Sequence, residues 1–375
     1  MSEPKSMRAP PGLYGVVVAD TNIGKSESNE TGGSLIYRGY EISDLVENAT
    51  FEETAFLVLN GKLPNRIELQ DFSSQLKKRS DVPQNVYDLV EKLNRDAHPM
   101  DALRTAVSSL GATELNLSPK EQQLSIIAKM PVLVANCYRI SSGKKPIQPD
   151  LRLNTAQNLL YILTGRQPSD FEAWVLEREL ILYMEHDLNA SSFTVRVIAS
   201  TLADVYAACT GGVAALKGPL HGGANEAAIE MLLKMKTPTQ AEAMVLEMFA
   251  KGEKVMGFGH RIYKKVDPRA QLSKKLLKRL IEERNEPSSL YEICDIVERK
   301  VWEMKKLPAN LDFYAAPVFY ILGIPVKMYT PLFAASRVVG WVAHFNEQLK
   351  DNKLFRPDAI YVGPMGLKYV PVDKR

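Results

Sequence analysis

The chain has 375 residues, of which 45% are apolar and 24% are charged. This length and composition predict a globular protein of two or three domains with a large core. The formal net charge of +3 is too small for the strongly basic surface of a nucleic-acid-binding protein. It suits a site for acidic small molecules, or equally a surface with a slight excess of lysine.

Three cysteines, Cys137, Cys209 and Cys294, lie far apart in the sequence and form no CxxC pair. The sequence therefore predicts neither a disulfide framework nor a structural zinc site. Each cysteine is expected to be a small core residue of a cytoplasmic protein.

The N-terminal segment contains neither an apolar signal-peptide core nor an arginine-rich amphipathic stretch, so we expect no targeting peptide. Residues 195–216 form the longest apolar-looking segment of the chain. Because this segment contains Arg196 and Asp204, it indicates a buried helix rather than a membrane span. We therefore expect no membrane as a partner.

Two short β-type runs precede residue 40, at residues 16–19 and 34–37, with a polar stretch between them. They predict a small hairpin or strand pair that follows a disordered segment at residues 1–12. After Arg38 the pattern is helical, with almost no strand-like alternation. The fold class is therefore predicted to be all-α with a minor N-terminal β hairpin.

Helix start signals recur along the rest of the chain. Thr50 with Glu53 and Ser169 with Glu172 have the spacing of capping boxes. Further helix starts are predicted at Thr237 with Pro238 and Gln240, Asp267 with Pro268, Ser289 with Glu292, and Thr330 with Pro331. Glycine-containing breaks at residues 218–223, 257–259 and 323–325 mark the places where we expect hinges and a functional site.

Two of the five histidines, His221 and His260, lie in such breaks, in the sequences GPLHGGANE and GFGHR. Glycines on either side let the backbone approach a ligand closely and leave N–H groups free to bind it. A histidine that precedes a helix also faces the positive end of that helix, which favours a neutral imidazole that donates a hydrogen bond. The alternative for each is a histidine that merely caps a turn.

Three charged residues suggest anion binding or acid–base chemistry. Arg269 follows the predicted cap Asp267, where a guanidinium is placed to clamp a carboxylate; the alternative is a surface arginine. Asp312 lies among apolar and aromatic residues, which suits a general base; the alternative is an N-cap for a helix that starts near Pro317. Arg337 interrupts an apolar helix face and needs an anionic partner, either a ligand or a buried acid.

His186 follows a predicted helix in the sequence EHDLNAS. No pair among His186, His221, His260 and Asp312 has a local metal-binding spacing such as HExxH, so no metal site is predicted. The chain contains no GxxxxGK[ST] loop, and its GFG sequence lacks the third glycine of a dinucleotide fingerprint. We therefore expect no cofactor.

Taken in chain order, these motifs resemble those of one family. The sequences GPLHGGANE, GFGHRIYKKVDPRA, NLDFYAAPVFYILGIP, SRVVGWVAHFNEQ and FRPDAIYVGP are similar to those of citrate synthases of the short archaeal and bacterial type. LIYRGYEI and HPMDALRTAVSSLG, nearer the N-terminus, are similar to that family as well. The resemblance implies a large, dimer-forming helical domain (residues 1–221 and 323–375) and a smaller, mobile, CoA-binding helical domain (residues 222–322).

The resemblance also implies a role for each candidate residue. Asp312 would remove a proton from the acyl-CoA methyl carbon, His221 would hold the resulting enol, and His260 would polarise the ketone of oxaloacetate. The implied oxaloacetate ligands are His186, Arg269, Arg337 and Arg356, the last supplied by the other subunit of a homodimer. The implied CoA contacts are Val255, Met256, Gly257, Phe258, Gly259 and Lys264, the last of which replaces an arginine of some relatives.

The implied reaction is the condensation of acetyl-CoA with oxaloacetate, followed by hydrolysis of citryl-CoA. The alternative within the family is a 2-methylcitrate synthase that uses propionyl-CoA, or an enzyme with both activities, because one methylene discriminates by only about 1–3 kcal/mol. The alternative from another class is a catalytically silent scaffold or acyl-CoA-binding protein, but the base and both histidines are present. A citryl-CoA lyase module is disfavoured, because such modules usually belong to larger ATP-using chains and this chain has no phosphate loop.

Overall fold

The computed structural model describes residues 8–30 and 32–375. Within these residues the fold consists of 16 α-helices and one small sheet, so the predicted all-α class is confirmed. The helices are α1 (Ile42–Asn48), α2 (Phe51–Asn60), α3 (Arg66–Arg79), α4 (Gln84–Glu91), α5 (Pro99–Thr113), α6 (Pro119–Ser141), α7 (Thr155–Thr164), α8 (Asp170–Tyr183), α9 (Ala190–Ser200), α10 (Val205–Leu216), α11 (Ala224–Leu232), α12 (Pro238–Ala250), α13 (Pro268–Arg284), α14 (Ser289–Lys305), α15 (Leu311–Ile321) and α16 (Tyr329–Lys350).

The sheet has three antiparallel strands in sequence order: β1 (Gly24–Ser28), β2 (Gly33–Tyr37) and β3 (Tyr40–Glu41). The predicted strand at residues 34–37 is confirmed, but the one at residues 16–19 was wrong, because that run has no regular structure. Its residues Val16 and Val18 instead line a cavity that is described below. Residues 1–7 of the segment predicted to be disordered lie outside the described residues, and Pro11–Leu13 form a short 3₁₀ helix.

Side-chain caps begin several helices where the sequence predicts them. The capping boxes of Thr50 with Glu53 at α2 and of Ser169 with Glu172 at α8 are formed. Thr237 caps α12 and Asp267 caps α13, each by accepting a backbone N–H of the first turn. Because the first turn of a helix has no internal partners for its N–H groups, these caps fix where each helix begins.

Other predicted helix starts were wrong. α15 begins at Leu311 and contains Pro317, so Asp312 lies in its first turn rather than at its N-cap. α16 begins at Tyr329, and the hydroxyl of Thr330 donates to Glu226 of α11 at 2.5 Å instead of capping.

Two further predictions need correction. Residues 195–216 belong to two helices, α9 and α10, rather than to one. α14 begins at Ser289 as predicted, but the hydroxyl of Ser288, not of Ser289, donates to Glu292 at 2.6 Å. Neighbouring serines give the same sequence signal, so the pattern locates such a start only to within a residue.

The packing forms two groups of helices on either side of a cavity. α16 is buried along most of its length and packs against α6, α9, α10, α2 and α8. α13 and α11 pack against α15, and α12 packs against α14. All three cysteines are buried, as predicted. None of the described helices is long and apolar enough to cross a membrane.

Candidate active site

A cavity of about 730 Å³ opens between the α8–α9 segment with α16 on one side and the segments that precede α11, α13 and α15 on the other. Its volume is typical of a small-molecule site. Six predicted site residues line it: His186, His221, His260, Arg269, Asp312 and Arg337. Arg356 does not, because it lies in the extended segment after α16, is exposed and pairs with Asp358 at 3.0 Å.

Asp312 presents a carboxylate to this cavity from the first turn of α15. The hydroxyl of Tyr183 donates to Asp312 Oδ1 at 2.8 Å. Burial raises the pKa of Asp312 to about 6, although the bond from Tyr183 and the charge of Arg269 oppose that shift. The carboxylate is thus ionised at neutral pH but poorly solvated, which suits a general base.

His260 is held as a neutral donor by the backbone that follows it. Its Nδ1 accepts the N–H groups of Ile262 at 3.1 Å and of Tyr263 at 3.2 Å. Because Nδ1 accepts, the proton of the neutral ring lies on Nε2. Burial and then the charge of Arg269 lower the pKa of His260 to about 4, so the ring is uncharged at neutral pH.

His221 lies in the turn between α10 and α11, and its Nε2 is 3.0 Å from Ser191 Oγ. Ser191 Oγ accepts the indole N–H of Trp341 at 3.0 Å and donates to Asn189 Oδ1 at 2.8 Å. That amide oxygen also accepts the backbone N–H groups of Ser191 and Ser192. Ser191 is thus held in place and orients the imidazole of His221 through its Nε2.

The pKa of His221 is lowered to about 4, first by burial and then by the charge of Arg337. Both histidines of the glycine-containing breaks are therefore neutral rings at physiological pH. A neutral imidazole can stabilise a developing oxyanion by donating a hydrogen bond without needing a prior protonation.

The two arginines of the cavity differ in their partners. Arg269 is buried and forms a double ion pair with Asp267, at 3.0 Å through Nε and 2.8 Å through Nη2, so its surface alternative was wrong. Arg337 is fully buried, and its Nε donates to the carbonyl of Tyr183 at 2.8 Å. Its Nη1 and Nη2 have no hydrogen-bond partner among the described residues, an arrangement that fits an anionic ligand.

His186 lies directly after α8, with its Nε2 at 3.1 Å from the hydroxyl of Tyr263. The same hydroxyl is 3.4 Å from the carbonyl oxygen of Ser34 in β2, which links the sheet to the site. Burial, followed by the charge of Arg269, holds the pKa of His186 well below its usual range. Its ring centre is 5.2 Å from that of His260.

The predicted CoA-binding stretch, residues 255–259, pairs with the segment before α15. Gly259 donates to the carbonyl of Pro308 at 2.8 Å, and Asn310 donates to the carbonyl of Gly257 at 2.9 Å. Gly257 has a φ of 84°, and a Cβ there would lie 2.7 Å from Phe313 Cβ, so only glycine fits. This pairing fixes His260 relative to Asp312.

Of the six predicted CoA contacts, Gly259 alone lines the cavity, and the other five lie outside its wall. Lys264 is exposed, and its ammonium donates to the backbone carbonyls of His260 at 3.2 Å and of Arg261 at 2.8 Å. To bind a phosphate of CoA, the Lys264 side chain would have to leave these two carbonyls.

Sequence reasoning missed the residues that hold the predicted ones in place. Tyr183, Ser191 and Tyr263 contact Asp312, His221 and His186 respectively, and Phe333 stacks on Arg337 at 4.6 Å. Phe333 precedes Arg337 by four residues on a helix, a spacing that could have revealed the contact. The other three pairs are distant in sequence and left no local signal.

The site combines a buried carboxylate, two neutral imidazoles and a buried guanidinium whose Nη1 and Nη2 have no partner among the described residues. In the described part of the chain, no group of three or more His, Cys, Asp or Glu residues is placed to hold a metal ion. Such a helical fold and site are typical of an enzyme and suit acid–base chemistry on a carboxylate substrate. Residues 12–358 match the family model "Citrate synthase, C-terminal domain", and the chain belongs to the citrate synthase family of acyltransferases.

Relatives of known name are similar over the full chain. Citrate synthase 2 of Bacillus subtilis (strain 168) is 43% identical, covering 98% of this chain and 100% of that protein. The 2-methylcitrate synthase of Shewanella oneidensis is 40% identical and covers 100% of both. A crystallised citrate synthase of Thermoplasma acidophilum, in a ternary complex with carboxymethyl coenzyme A and oxaloacetate, is 33% identical, with a TM-score of 0.90 and coverage of 96% of this chain and 98% of that one.

Proposed function

We propose that this chain is a cytoplasmic citrate synthase, which condenses acetyl-CoA with oxaloacetate and hydrolyses citryl-CoA to citrate and CoA. The observation that carries the proposal is the convergence of the Asp312 carboxylate, two neutral histidines and the unpartnered guanidinium of Arg337 on one cavity. The Thermoplasma acidophilum relative, solved with a CoA derivative and oxaloacetate, supports this choice of substrates.

The first step is removal of a proton from the methyl group of the thioester by Asp312. A carbon acid this weak requires a poorly solvated base and a donor aimed at the oxygen on which charge develops. His221 supplies that donor, and Ser191 orients its ring through Nε2. The product of this step is the enol form of the thioester.

The enol carbon then forms a bond to the ketone carbon of oxaloacetate. As the ketone oxygen becomes an alcohol, it takes the proton of His260 Nε2. A water molecule next attacks the thioester carbonyl, the carbon–sulfur bond breaks, and CoA leaves as a thiol. When the carbon–carbon bond forms, the enol proton returns to His221, and the proton held by Asp312 replaces the one that His260 gave to the alcohol. Of the two water protons, one ends on the CoA thiol and the other is the net proton released with the new carboxylate of citrate.

Oxaloacetate is held by groups on both sides of the cavity. The free Nη1 and Nη2 of Arg337 take one carboxylate in a bidentate pair, and His186 lies beside it. Arg269 contributes its charge from the opposite side, while Asp267 fixes its orientation. We infer that residues 222–322 move as a unit to close these two sides together.

We also propose that the protein is a homodimer in which Arg356 completes the site of the partner subunit. Within one chain Arg356 is exposed and remote from the cavity lining. The extended segment after it exposes several large apolar side chains: Ile360, Tyr361, Val362, Met365, Leu367 and Tyr369. An exposed apolar stretch of this length needs a covering surface, and a second copy of the chain provides one.

Subunit mixing tests the dimer. Asp312→Asn and Arg356→Ala proteins are each expected to be inactive, and mixing them should regenerate activity because some heterodimers contain one intact site. Sedimentation of a tagged and an untagged subunit establishes that exchange has occurred. Exchange without any return of activity would refute the shared site.

The rival function is that of a 2-methylcitrate synthase or of an enzyme with both activities, since the similar relatives carry both names. Steady-state rates with acetyl-CoA and propionyl-CoA, measured side by side with oxaloacetate, decide between them. We expect the larger kcat/KM with acetyl-CoA. A larger value with propionyl-CoA would assign the chain to the rival function, and no condensation with either thioester would overturn the proposed function itself.

A further inference from the structure

A second buried carboxylate, Glu185, lies behind the guanidinium of Arg337. It is fully buried in the segment between α8 and α9, directly before His186. Its Oε1 is 3.0 Å from His344 Nε2, whereas its Oε2 has no hydrogen-bond partner in the described part of the chain. None of the catalytic steps above uses this group.

The hydrogen bonds around His344 show that this ring is a neutral donor to Glu185. Arg196 Nε donates to His344 Nδ1 at 3.1 Å, so the ring proton lies on Nε2 and is donated to Glu185 Oε1. The imidazole is therefore neutral and does not compensate the carboxylate. Arg196 has its own counter-ion, Glu347, so it does not compensate Glu185 either.

Gly340 allows the free oxygen of Glu185 to lie near Arg337. A methyl group on Gly340 would lie 2.5 Å from Glu185 Oε2 and 3.4 Å from Arg337 Cδ, so both side chains border the same small gap. Arg337, Gly340 and His344 share one face of α16 because they are spaced three and four residues apart. Glu185 is thus fixed beside Arg337 without occupying its Nη1 and Nη2.

We propose that Glu185 is a positioning residue that acts through Arg337 and sets how tightly the site holds carboxylate ligands. Its charge stabilises the buried guanidinium when no ligand is bound, and it repels any anion that binds to the outer side of Arg337. The repulsion increases with the charge of the ligand. Under the proposed function, citrate has one carboxylate more than oxaloacetate, so Glu185 weakens product binding more than substrate binding and favours product release.

The test is the affinity of Glu185→Gln for the two ligands, measured by calorimetry on the intact protein without acyl-CoA. Gln keeps an oxygen for His344 and removes only the charge. We expect oxaloacetate to bind roughly 3- to 10-fold more tightly than to the native protein, and citrate to gain more than oxaloacetate. In turnover, kcat should fall together with the KM for oxaloacetate, because product release becomes slower.

Glu177→Gln is the matched control. Glu177 is a buried acid of α8 that pairs with Arg178 and does not line the cavity. Both variants are expected to lower the thermal midpoint, since each leaves a buried guanidinium without its counter-ion. Only Glu185→Gln should tighten ligand binding, a result that a purely structural role does not predict.

Unchanged or weaker binding of both ligands by folded Glu185→Gln would overturn the proposal, as would equal gains for citrate and oxaloacetate. If Glu185→Gln does not fold, Glu185→Asp is the fallback variant, because it keeps the charge but moves it away from Arg337 by one methylene. We expect a smaller gain in affinity for both ligands, again larger for citrate than for oxaloacetate. Unchanged or weaker binding of both ligands would overturn the proposal. The proposal rests on the proposed function, but the two can fail separately. If the proposed function is wrong, the native protein will not catalyse the condensation. If only the role of Glu185 is wrong, the native protein will catalyse the condensation, but Glu185→Gln will not bind the ligands as expected.

Discussion

Arg269 and Arg337 are both buried guanidinium groups in the wall of one cavity, but they differ in how far the protein satisfies them. Arg269 is bound through Nε and Nη2 to the carboxylate of Asp267, two residues earlier in the chain. Arg337 has one backbone partner and two nitrogens without any hydrogen bond among the described residues. One cation is internally neutralised, and the other is open to a ligand.

This difference indicates which side of the cavity acts first. A substrate carboxylate gains most at Arg337, because the alternative there is a pair of buried N–H groups without partners. At Arg269 the ion pair with Asp267 is already formed, so a ligand gains only charge attraction there. Under the proposed function we therefore expect the side built from α8, α9 and α16 to recruit the substrate, and the side that carries His260, Arg269 and Asp312 to join it on closure.

The largest expected effect comes from Asp312→Asn, which leaves both arginines unchanged and so separates chemistry from binding. Without a base to remove the methyl proton, turnover should fall roughly 10²- to 10⁴-fold. Oxaloacetate affinity, measured by calorimetry, should stay close to that of the native protein. Turnover above a tenth of native would remove Asp312 from the role of base.

The next effect tests the comparison of the arginines directly. Arg337→Leu should raise the KM for oxaloacetate at least 10-fold and destabilise the protein less than Arg269→Leu does, because Glu185 lies near Arg337 but forms no ion pair with it among the described residues. Arg269→Leu should lower the free energy of unfolding by about 3–5 kcal/mol, because it leaves Asp267 buried and unpaired. Equal losses of stability in the two variants would contradict the difference between these residues.

The pH dependence of kcat tests the proposed role of Asp312 as the base. Because burial raises the pKa of Asp312 to about 6, kcat should rise with pH through about 6 and then level off. His221 and His260 remain neutral over this range, since their pKa values are lowered to about 4. The native profile from pH 5 to pH 8 should show one acidic limb, and a profile without a limb near pH 6 would contradict the assignment.

The same shift predicts a small effect on stability. A carboxyl with a folded-state pKa above its ordinary value favours folding when protonated, and that contribution is lost as pH rises through about 6. Asp312→Asn should therefore raise the thermal midpoint at pH 8 relative to native protein, and raise it less at pH 5. A lower midpoint at pH 8 would show that the burial of Asp312 is not costly.

The smallest expected effect concerns the order of binding. If Arg337 recruits oxaloacetate before closure, an unreactive analogue of acetyl-CoA should bind several-fold more tightly in the presence of saturating oxaloacetate. Calorimetry with and without oxaloacetate measures this coupling, and small-angle scattering reports the accompanying compaction. Identical affinities with unchanged scattering would indicate a rigid enzyme with two independent sites.

The parts of the fold that depend on local chemistry could be predicted from the sequence. Ser169 with Glu172 and Asp267 with Pro268 begin helices because a cap and the N–H groups it satisfies lie within one turn. The run at residues 16–19 misled the prediction, because consecutive valines are typical of a strand whereas the chain uses Val16 and Val18 in a cavity wall. The predicted cap at Thr330 was also wrong, because its hydroxyl donates to Glu226, more than a hundred residues away in the sequence.

The candidate site divides in the same way. His221, His260 and Asp312 could be proposed because each stands in a distinctive local sequence, and the structure brings all three to one cavity. Ser191 and Tyr183 could not, because their roles depend on contacts with partners 30 and 129 residues away. A single sequence records such pairs only as two ordinary polar residues.

The burial of the three cysteines has a practical consequence for the choice of assay. Cys137, Cys209 and Cys294 are almost inaccessible to solvent, and burial raises the pKa of the Cys137 thiol to about 12. A chromogenic aromatic disulfide reacts with thiolates, so the buried cysteines of the native protein should give almost no background. Each CoA thiol that is released should liberate one chromophore. Once the chain unfolds, the same reagent should count three thiols per subunit, which makes it a readout of both product formation and loss of the native state.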